Sequence, residues 1–189
     1  MKELINCLSK YGILSQQHME LITSKAKLLS LKKGDCFLEV GRIAKQLGFV
    51  MEGVLRVCWY NDNGEDITRA FIPEHHFALN VSSFNNETPS EVCFEATSNC
   101  KLLVFSQKDL VELANAIPGW NEILLKITAT ALTNKSKVSQ NMLTQDATTR
   151  YLEFLKIYPG LANRIPLSAL ASYLGIKQSS LSRIRRKIT

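Results

Sequence analysis

The feature that most constrains the fold is a run of short β-type segments between residues 29 and 106. Segments rich in Val, Phe, Ile and Tyr alternate there with turn residues, which predicts several short strands in a small β-roll. "GVLRVCWY", "NDNGE" and "DITRAFI" predict a hairpin, because Asn63-Gly64 readily supplies positive φ. Residues 1–28 and the chain from Lys108 onward instead carry apolar residues at helical spacing. The expected fold class is therefore α+β, with helices flanking a jelly-roll-like domain.

A long helix is predicted to follow the roll, from about Gly119 to Met142. A shorter helix is predicted between the roll and the long helix. Its start is indicated by Ser106 and Asp109, which have the spacing of an acidic capping box. The long helix carries a seam with alternate spacings of four and three residues, formed by Trp120, Leu124, Ile127, Ala131, Asn134 and Val138. Periodicity leaves two interpretations open: the seam packs on its own roll, or it pairs with a second copy of the chain.

Charge is distributed unevenly along the chain. The 23 Lys and Arg and 17 Asp and Glu give a net charge of +6, and residues 144–189 hold all of the excess. This asymmetry is typical of a nucleic-acid-binding module joined to a neutral domain. We therefore divide the chain into a roll with N-terminal helices (1–118), a long helix with a hinge (119–143) and a basic C-terminal module (144–189).

The closing stretch, "IPLSALASYLGIKQSSLSRIRRKIT", fits a helix-turn-helix with Gly175 at its turn. Ala171 stands where the second helix packs closely on the first, and Leu174 and Ile176 flank the turn. The apolar anchors of the two helices are Leu170, Leu181 and Ile184. Each position of the pattern is filled by a suitable residue.

The second helix of this motif is predicted to have two distinct faces. At about 100° per residue, Leu181, Ile184 and Ile188 cluster on one side. The opposite side carries small polar and cationic residues, namely Gln178, Ser179, Ser182, Arg183, Arg186 and Lys187. Such side chains can enter a major groove, where Arg reads guanine, Gln reads adenine, and Ser contacts a base or a phosphate. The alternative is a solvated basic helix that simply ends the domain.

The order of helix, roll, long helix and C-terminal helix-turn-helix resembles the Crp–Fnr family of bacterial transcription regulators over nearly the whole chain. The glycines of "LKKGD", "EVGR", "VMEGVLRV" and "DNGED" stand where that family places them, and "ASYLGIKQSSLSRIRRKI" looks most like its Bacteroidetes branch. The resemblance implies a cyclic-nucleotide-binding-like roll and a winged-helix-like reading module. It also implies a homodimer, joined by the long helix, that reads a palindromic operator with half-sites one DNA turn apart.

The resemblance also implies roles for individual residues of the second helix. By motif position, the base-reading residues are Gln178, Ser179 and Arg183. Contacts to the DNA backbone are expected from Lys177, Ser180, Ser182, Arg186 and Lys187.

The chain departs from nucleotide-binding members of the family in the effector cassette. Those members hold the ribose with a Gly-Glu pair and the cyclic phosphate with an Arg-Ser pair, whereas "FALNVSSFNNETPSEVCFEAT" places Asn80 in the Glu position and Ser90-Glu91 in the Arg-Ser position. Ser136 follows Lys135 where those members offer a Thr-Ser pair. A carboxylate at the phosphate position would cost several kcal/mol, so we expect that cyclic AMP does not bind. The roll then takes another, unidentified small-molecule effector, holds a cyclic nucleotide in an unusual way, or is an unliganded scaffold.

Other chemistry has weak support in the sequence. The five cysteines form no CxxC pair, so we expect reduced apolar side chains and no metal. Cys7 alone cannot hold the cluster of the oxygen-sensing relatives. His75 and His76 are adjacent and are expected to point to opposite faces. No GxSxG, HExxH or P-loop pattern occurs. The protein is expected not to be an enzyme and to need no cofactor.

The expected partners follow from these features. Double-stranded DNA and a second copy of the chain come first, with RNA polymerase and an unidentified effector as further candidates. The sequence contains neither an apolar run of about 18 residues nor a signal-peptide core, so we expect a cytoplasmic protein without a membrane partner. The alternative function is a small-molecule-sensing module whose basic end binds RNA or an acidic protein.

Overall fold

The computed structural model describes residues 1–61 and 63–188. In these residues, antiparallel strands form two sheets, ordered β1-β8-β3-β6 and β2-β7-β4-β5. The strands are β1 Lys27–Leu31, β2 Cys36–Leu38, β3 Gln46–Glu52, β4 Leu55–Tyr60, β5 Asp66–Ile72, β6 Phe77–Ala78, β7 Cys93–Ala96 and β8 Cys100–Ser106. The predicted β4–β5 hairpin is confirmed, although Asp62 of its turn lies outside the described residues. The α+β class with a jelly roll is confirmed.

Helices precede and follow the roll in the chain, and one further helix lies between β6 and β7. They are α1 Lys2–Leu8, α2 Gln16–Lys25, α3 Val81–Asn86, α4 Gln107–Ala116, α5 Trp120–Thr144, α6 Ala147–Ile157, α7 Leu167–Tyr173 and α8 Gln178–Ile188, with a 3-10 turn at Leu161–Asn163. The predicted capping box of α4 is confirmed, because Ser106 Oγ accepts from the N–H of Asp109 at 3.2 Å and Asp109 Oδ2 accepts from that of Ser106 at 2.9 Å. No helix in the part described combines the length and apolar character that a bilayer span needs.

Two hydrophobic clusters hold the roll and its helices together. One lies between the sheets, where Val50, Leu55 and Leu102 are fully buried. The other cluster lies where α1, α2, α4 and the start of α5 cover the sheet β1-β8-β3-β6, and it includes Phe49 and Trp120. Burial of these apolar side chains is the main driving force for assembling the roll.

The C-terminal helices pack directly on the roll. Phe71 of β5 contacts Tyr173 of α7 and Phe154 of α6, with ring centroids 5.5 and 6.1 Å away. The strand β5 is an edge of its sheet, and an edge strand leaves backbone groups unpaired. The Ser172 hydroxyl of α7 satisfies one of these backbone groups, because it accepts a hydrogen bond of 2.9 Å from the N–H of Thr68. The roll and the basic module therefore share one hydrophobic cluster.

The junction between α5 and α6 lies close to the predicted hinge. Helix α5 ends at Thr144, and Asp146 caps α6 by accepting from the N–H groups of Thr148 and Thr149 at 2.8 and 2.9 Å. Residues 144–188 contain helices and a 3-10 turn but no strand. The helix-turn-helix is thus present in the described residues without the strands of a wing.

Candidate nucleic-acid interface

The turn between α7 and α8 has the geometry that a helix-turn-helix requires. Gly175 has a φ of +66°, its N–H donates to Ser172 O at 3.0 Å, and the N–H of Ile176 donates to Ala171 O at 3.0 Å. These are the two bonds of a Schellman C-cap. Among the described residues, the Cβ of any other residue at position 175 would meet no atom beyond its chain neighbours closer than Met142 Sδ, which would be 3.9 Å away. Glycine is therefore needed for the backbone conformation and not for space.

The apolar side of the motif is buried as predicted. Leu170, Ala171, Leu174 and Leu181 are at most 2% exposed, whereas Ile176 and Ile184 are half-buried against the same cluster. Ile188, predicted on this face, is 41% exposed because it lies at the end of α8.

Arg150 of α6 holds the turn in place, and the sequence pattern gave no signal for it. Its Nε and Nη2 donate to Leu174 O at 3.1 and 2.9 Å, and its Nη1 donates to Gln145 O at 2.6 Å. A guanidinium can make these bonds because its donors form a fixed planar fork. Arg150 thus ties the end of α7 to the hinge.

The predicted reading residues share the exposed side of α8. Gln178, Ser179 and Arg183 are exposed, as are the predicted backbone contacts Lys177, Arg186 and Lys187. Ser180 and Ser182 are half-buried. Arg183 Nη2 lies 3.5 Å from Ser180 Oγ, which is a weak contact at the limit of hydrogen-bonding distance.

Arg185 differs from the other cations of α8. Its Nη2 donates to Asn163 Oδ1 at 2.8 Å, so it faces the rest of its own module. The exposed cations Arg183, Arg186 and Lys187 therefore form the surface of α8 that can meet phosphates or bases. Arg186 and Lys187 lie in the last turn of α8, where the negative end of the helix dipole favours cations.

The effector cassette is closed by its own side chains. Asn80 Oδ1 caps α3 by accepting from the N–H of Ser83 at 3.3 Å, and Asn80 Nδ2 donates to Ser90 Oγ at 2.8 Å. Ser90 is 2% exposed and donates to Val92 O at 2.7 Å. The two residues expected at the ribose and phosphate positions are thus hydrogen-bonded to each other.

Two cassette residues lie outside this closed network. We expected the Glu91 carboxylate at the phosphate position, but Glu91 is exposed to solvent, because the chain turns its neighbour Ser90 inward instead. Ser136 is exposed on α5. The expectation of a like charge in a dry pocket is wrong for Glu91, because an internal hydrogen bond between Asn80 and Ser90, and not a buried carboxylate, characterises this cassette.

A cavity of about 260 Å³ opens beside Asn80. It is lined by β2, including Cys36, and by the segment leading to β3, which contributes Arg42 and Lys45. Arg42 lies 3.6 Å from Glu39 at its rim. The cavity is large enough for a small ligand with both apolar and charged groups.

The predicted seam on α5 is largely directed at its own chain. Trp120 is 2% exposed and belongs to the core of the roll rather than to an exposed seam. Leu124, Ile127 and Val138 are half-buried against their own clusters, and Ala131 and Asn134 are exposed. The large exposed apolar side chains of α5 include Leu125 and Leu132, at 68% and 58% exposure. They lie on a different face, which periodicity alone could not distinguish.

Known proteins resemble this chain in the roll and in the whole fold. Residues 28–116 match the family described as cyclic nucleotide-binding domain. CLP from Xanthomonas campestris, a c-di-GMP responsive global regulator, is 17% identical over 92% of this chain and 91% of its own, with a TM-score of 0.71. FixK2 from Bradyrhizobium japonicum is 16% identical over 86% and 84%, with a TM-score of 0.74.

A transcriptional regulator of the crp/fnr family from Eubacterium rectale also has this fold. It is 19% identical over 92% of this chain and 83% of its own, with a TM-score of 0.68. No curated protein matches the sequence significantly. At these identities, the solved structures establish the architecture.

Proposed function

We propose that this chain, which has the fold of the Crp/Fnr-family transcription regulators with a cyclic nucleotide-binding domain at residues 28–116, is a DNA-binding regulator that reads a palindromic operator as a homodimer. The observation that carries this proposal is the orientation of α8. Its Leu181 side is buried in the module, whereas Ser179 and Arg183 face solvent. A helix held in this way can enter a major groove.

The roles on α8 follow from side-chain chemistry. Arg183 can donate two hydrogen bonds to guanine, and Gln178 and Ser179 can reach base edges from the first turn. Arg186 and Lys187 supply charge to phosphates, which contributes affinity without reading sequence. Lys177, Ser180 and Ser182 complete the proposed backbone contacts. The protein would act in the cytoplasm, with RNA polymerase as a further proposed partner, and would have no enzymatic role.

Dimerisation is proposed to use the exposed face of α5. Leu125, Ala129 and Leu132 form an apolar stripe with heptad-like spacing. Packing against the same stripe of a second copy would remove these apolar side chains from water. Ala131 and Asn134 of the predicted seam are also exposed, but at about 100° per residue they lie on other sides of α5 and would stay outside this contact. Two copies of α8 would then be held at a defined separation.

We propose that cyclic AMP does not control this protein. The hydrogen bond between Asn80 and Ser90 supports this, because it joins the two positions that would have to hold ribose and phosphate. The cationic cavity beside Asn80 supports control by a different small molecule. It also supports the alternative function, in which a sensing module binds RNA or an acidic protein.

A selection from random duplexes tests this proposal. The full-length chain should enrich an inverted repeat whose half-sites are one DNA turn apart, and its affinity should fall steeply with salt because counterions are released. Matched double-stranded RNA should compete poorly, since its major groove is too narrow and deep for a helix. Equal competition by RNA, or enrichment of no sequence, would favour the alternative function.

A further inference from the structure

Three cysteines that are far apart in the sequence lie side by side on neighbouring strands of the roll. Cys36 Sγ of β2 and Cys93 Sγ of β7 are 2.8 Å apart. Cys58 of β4 is the direct cross-strand partner of Cys93. We propose that Cys36 and Cys93 are a redox site, which forms a reversible disulfide when the protein meets a hydroperoxide. This inference goes beyond DNA binding and does not depend on it.

The three cysteine side chains differ in their exposure to solvent. Cys36 is half-exposed and lines the cavity of about 260 Å³ beside Asn80. Cys93 is 7% exposed and Cys58 is 1% exposed. A small oxidant entering this cavity would therefore reach Cys36 first, and the resulting oxidised sulfur would already lie against Cys93.

The contact between Cys58 and Cys93 shifts the pKa values of these two thiols in opposite directions. The hydrogen bond between these thiols lowers the pKa of Cys58, aided by the nearby Arg56 guanidinium and opposed by burial. The same hydrogen bond, together with burial, raises the pKa of Cys93. The Cys58 thiol also donates to the backbone carbonyl oxygen of Cys93 at 3.9 Å. In the described residues, no three His, Cys, Asp or Glu side chains are arranged to hold a metal ion, so the cluster fits thiol oxidation better than metal binding.

The chemistry balances with a hydroperoxide as the oxidant. The Cys36 sulfur attacks the peroxide, the O–O bond breaks, and Cys36 becomes a sulfenic acid while the peroxide leaves as water or an alcohol. The Cys93 sulfur then attacks the Cys36 sulfur and the S–O bond breaks. The hydroxide leaves with the Cys93 proton as water. Two electrons pass to the peroxide in total. A dithiol reductant can then reduce the disulfide back to two thiols. A reversible disulfide of this kind is characteristic of redox sensing in a reducing compartment.

Peptide mapping of the full-length chain tests the pairing directly. The reduced protein is treated with hydrogen peroxide, its free thiols are alkylated, and its peptides are analysed by mass spectrometry. We expect a linked peptide joining Cys36 and Cys93 that disappears on treatment with dithiothreitol. A link between Cys58 and Cys93, or Cys36 oxidised to sulfinic acid without a link, would overturn the assignment.

Substitutions provide a second, kinetic readout. Cys36→Ser should abolish the peroxide-dependent link and slow the loss of titratable thiols at least about tenfold, because the buried Cys93 loses its accessible partner. Cys7→Ser and Cys100→Ser are matched controls, since these thiols contact the carbonyl oxygens of His75 and Ser98 instead. Unchanged thiol loss in Cys36→Ser contradicts the proposal, and the mapping of the unmodified chain decides the question if this variant does not fold.

Discussion

The backbone N–H of Thr68 on β5 donates a hydrogen bond of 2.9 Å to Ser172 Oγ on α7. It links the first helix of the helix-turn-helix to the edge strand of the roll. Thr68 is also the cross-strand partner of Cys58. The sheet that carries the thiol cluster therefore also carries the reading module.

Removal of this hydroxyl should weaken the contact between roll and module. Ser172→Ala leaves the partly buried N–H of Thr68 without its side-chain acceptor, and we expect a loss of about 1 kcal/mol in the free energy of unfolding. Urea denaturation measures the loss, and amide exchange at Thr68 should accelerate. Ser168→Ala, on the exposed side of the same helix, is the matched control. Equal effects of the two variants would show that the hydrogen bond contributes nothing specific.

The ion pair between Arg164 and Glu74 should make stability depend on pH. Burial opposes ionisation of Glu74, but hydrogen bonds from Arg164 and from the N–H of Gly53 outweigh it and lower the pKa of Glu74 below its ordinary value of 4.5. A carboxyl with a lowered folded pKa stabilises the protein above its unfolded pKa, and this contribution is lost as pH falls through the folded pKa.

The matching variant is Glu74→Gln. Because the pair is partly exposed, we expect the free energy of unfolding of wild type to exceed that of this variant by about 1 kcal/mol or less near pH 6, and the difference to be smaller at about pH 3. Urea denaturation at both pH values measures it. Glu91→Gln, which removes an exposed carboxylate from the same domain, is the control. A difference that stays constant with pH would exclude Glu74 as its source.

Cations at different positions on the exposed side of α8 should differ in their effect on DNA binding. Arg183→Ala should reduce the preference for operator over a mismatched duplex by roughly 1–3 kcal/mol. Arg186→Ala should weaken all duplexes alike and lower the salt slope by about 1. Mobility shifts over a salt series measure both. Arg185→Ala is the control, because Arg185 faces Asn163. If Arg183→Ala kept the full sequence preference, its proposed role would be wrong.

The closed cassette predicts the outcome of a nucleotide titration. We expect calorimetry to detect no binding of cyclic AMP at micromolar concentrations, since Asn80 Nδ2 donates to Ser90 Oγ and the Ser90 hydroxyl donates to Val92 O, so both side chains are already hydrogen-bonded within the chain. Retained affinity for the selected duplex verifies that the sample is active. Micromolar binding with a one-to-one stoichiometry would refute this prediction.

The exposed stripe of α5 predicts where dimerisation can be broken. Leu132→Asp would place a carboxylate from each copy in an apolar contact, which costs several kcal/mol and should raise the dimer Kd at least about a hundredfold. Sedimentation velocity should show monomers. Val111→Asp is the matched control, because Val111 is 60% exposed on α4. A Leu132→Asp protein that sediments as a dimer would place the interface elsewhere.

Local patterns in the sequence were sufficient to predict much of this fold. The helix-turn-helix depends on residues close together in the chain, such as Ala171, Gly175 and Leu181, and helical spacing alone brings them together. The capping box at Ser106 and the β4–β5 hairpin are similarly local. The charge asymmetry is a property of the composition, so it required no structure.

Tertiary structure alone decided which of two apolar stripes on α5 is covered, and that Glu91 turns outward. It also decided that Cys36, Cys58 and Cys93 meet. The reason is physical. Helical and strand periodicity show which residues share a face, but not what that face contacts. Contacts between distant segments depend on strand order and register, and these follow from packing the whole hydrophobic core at once.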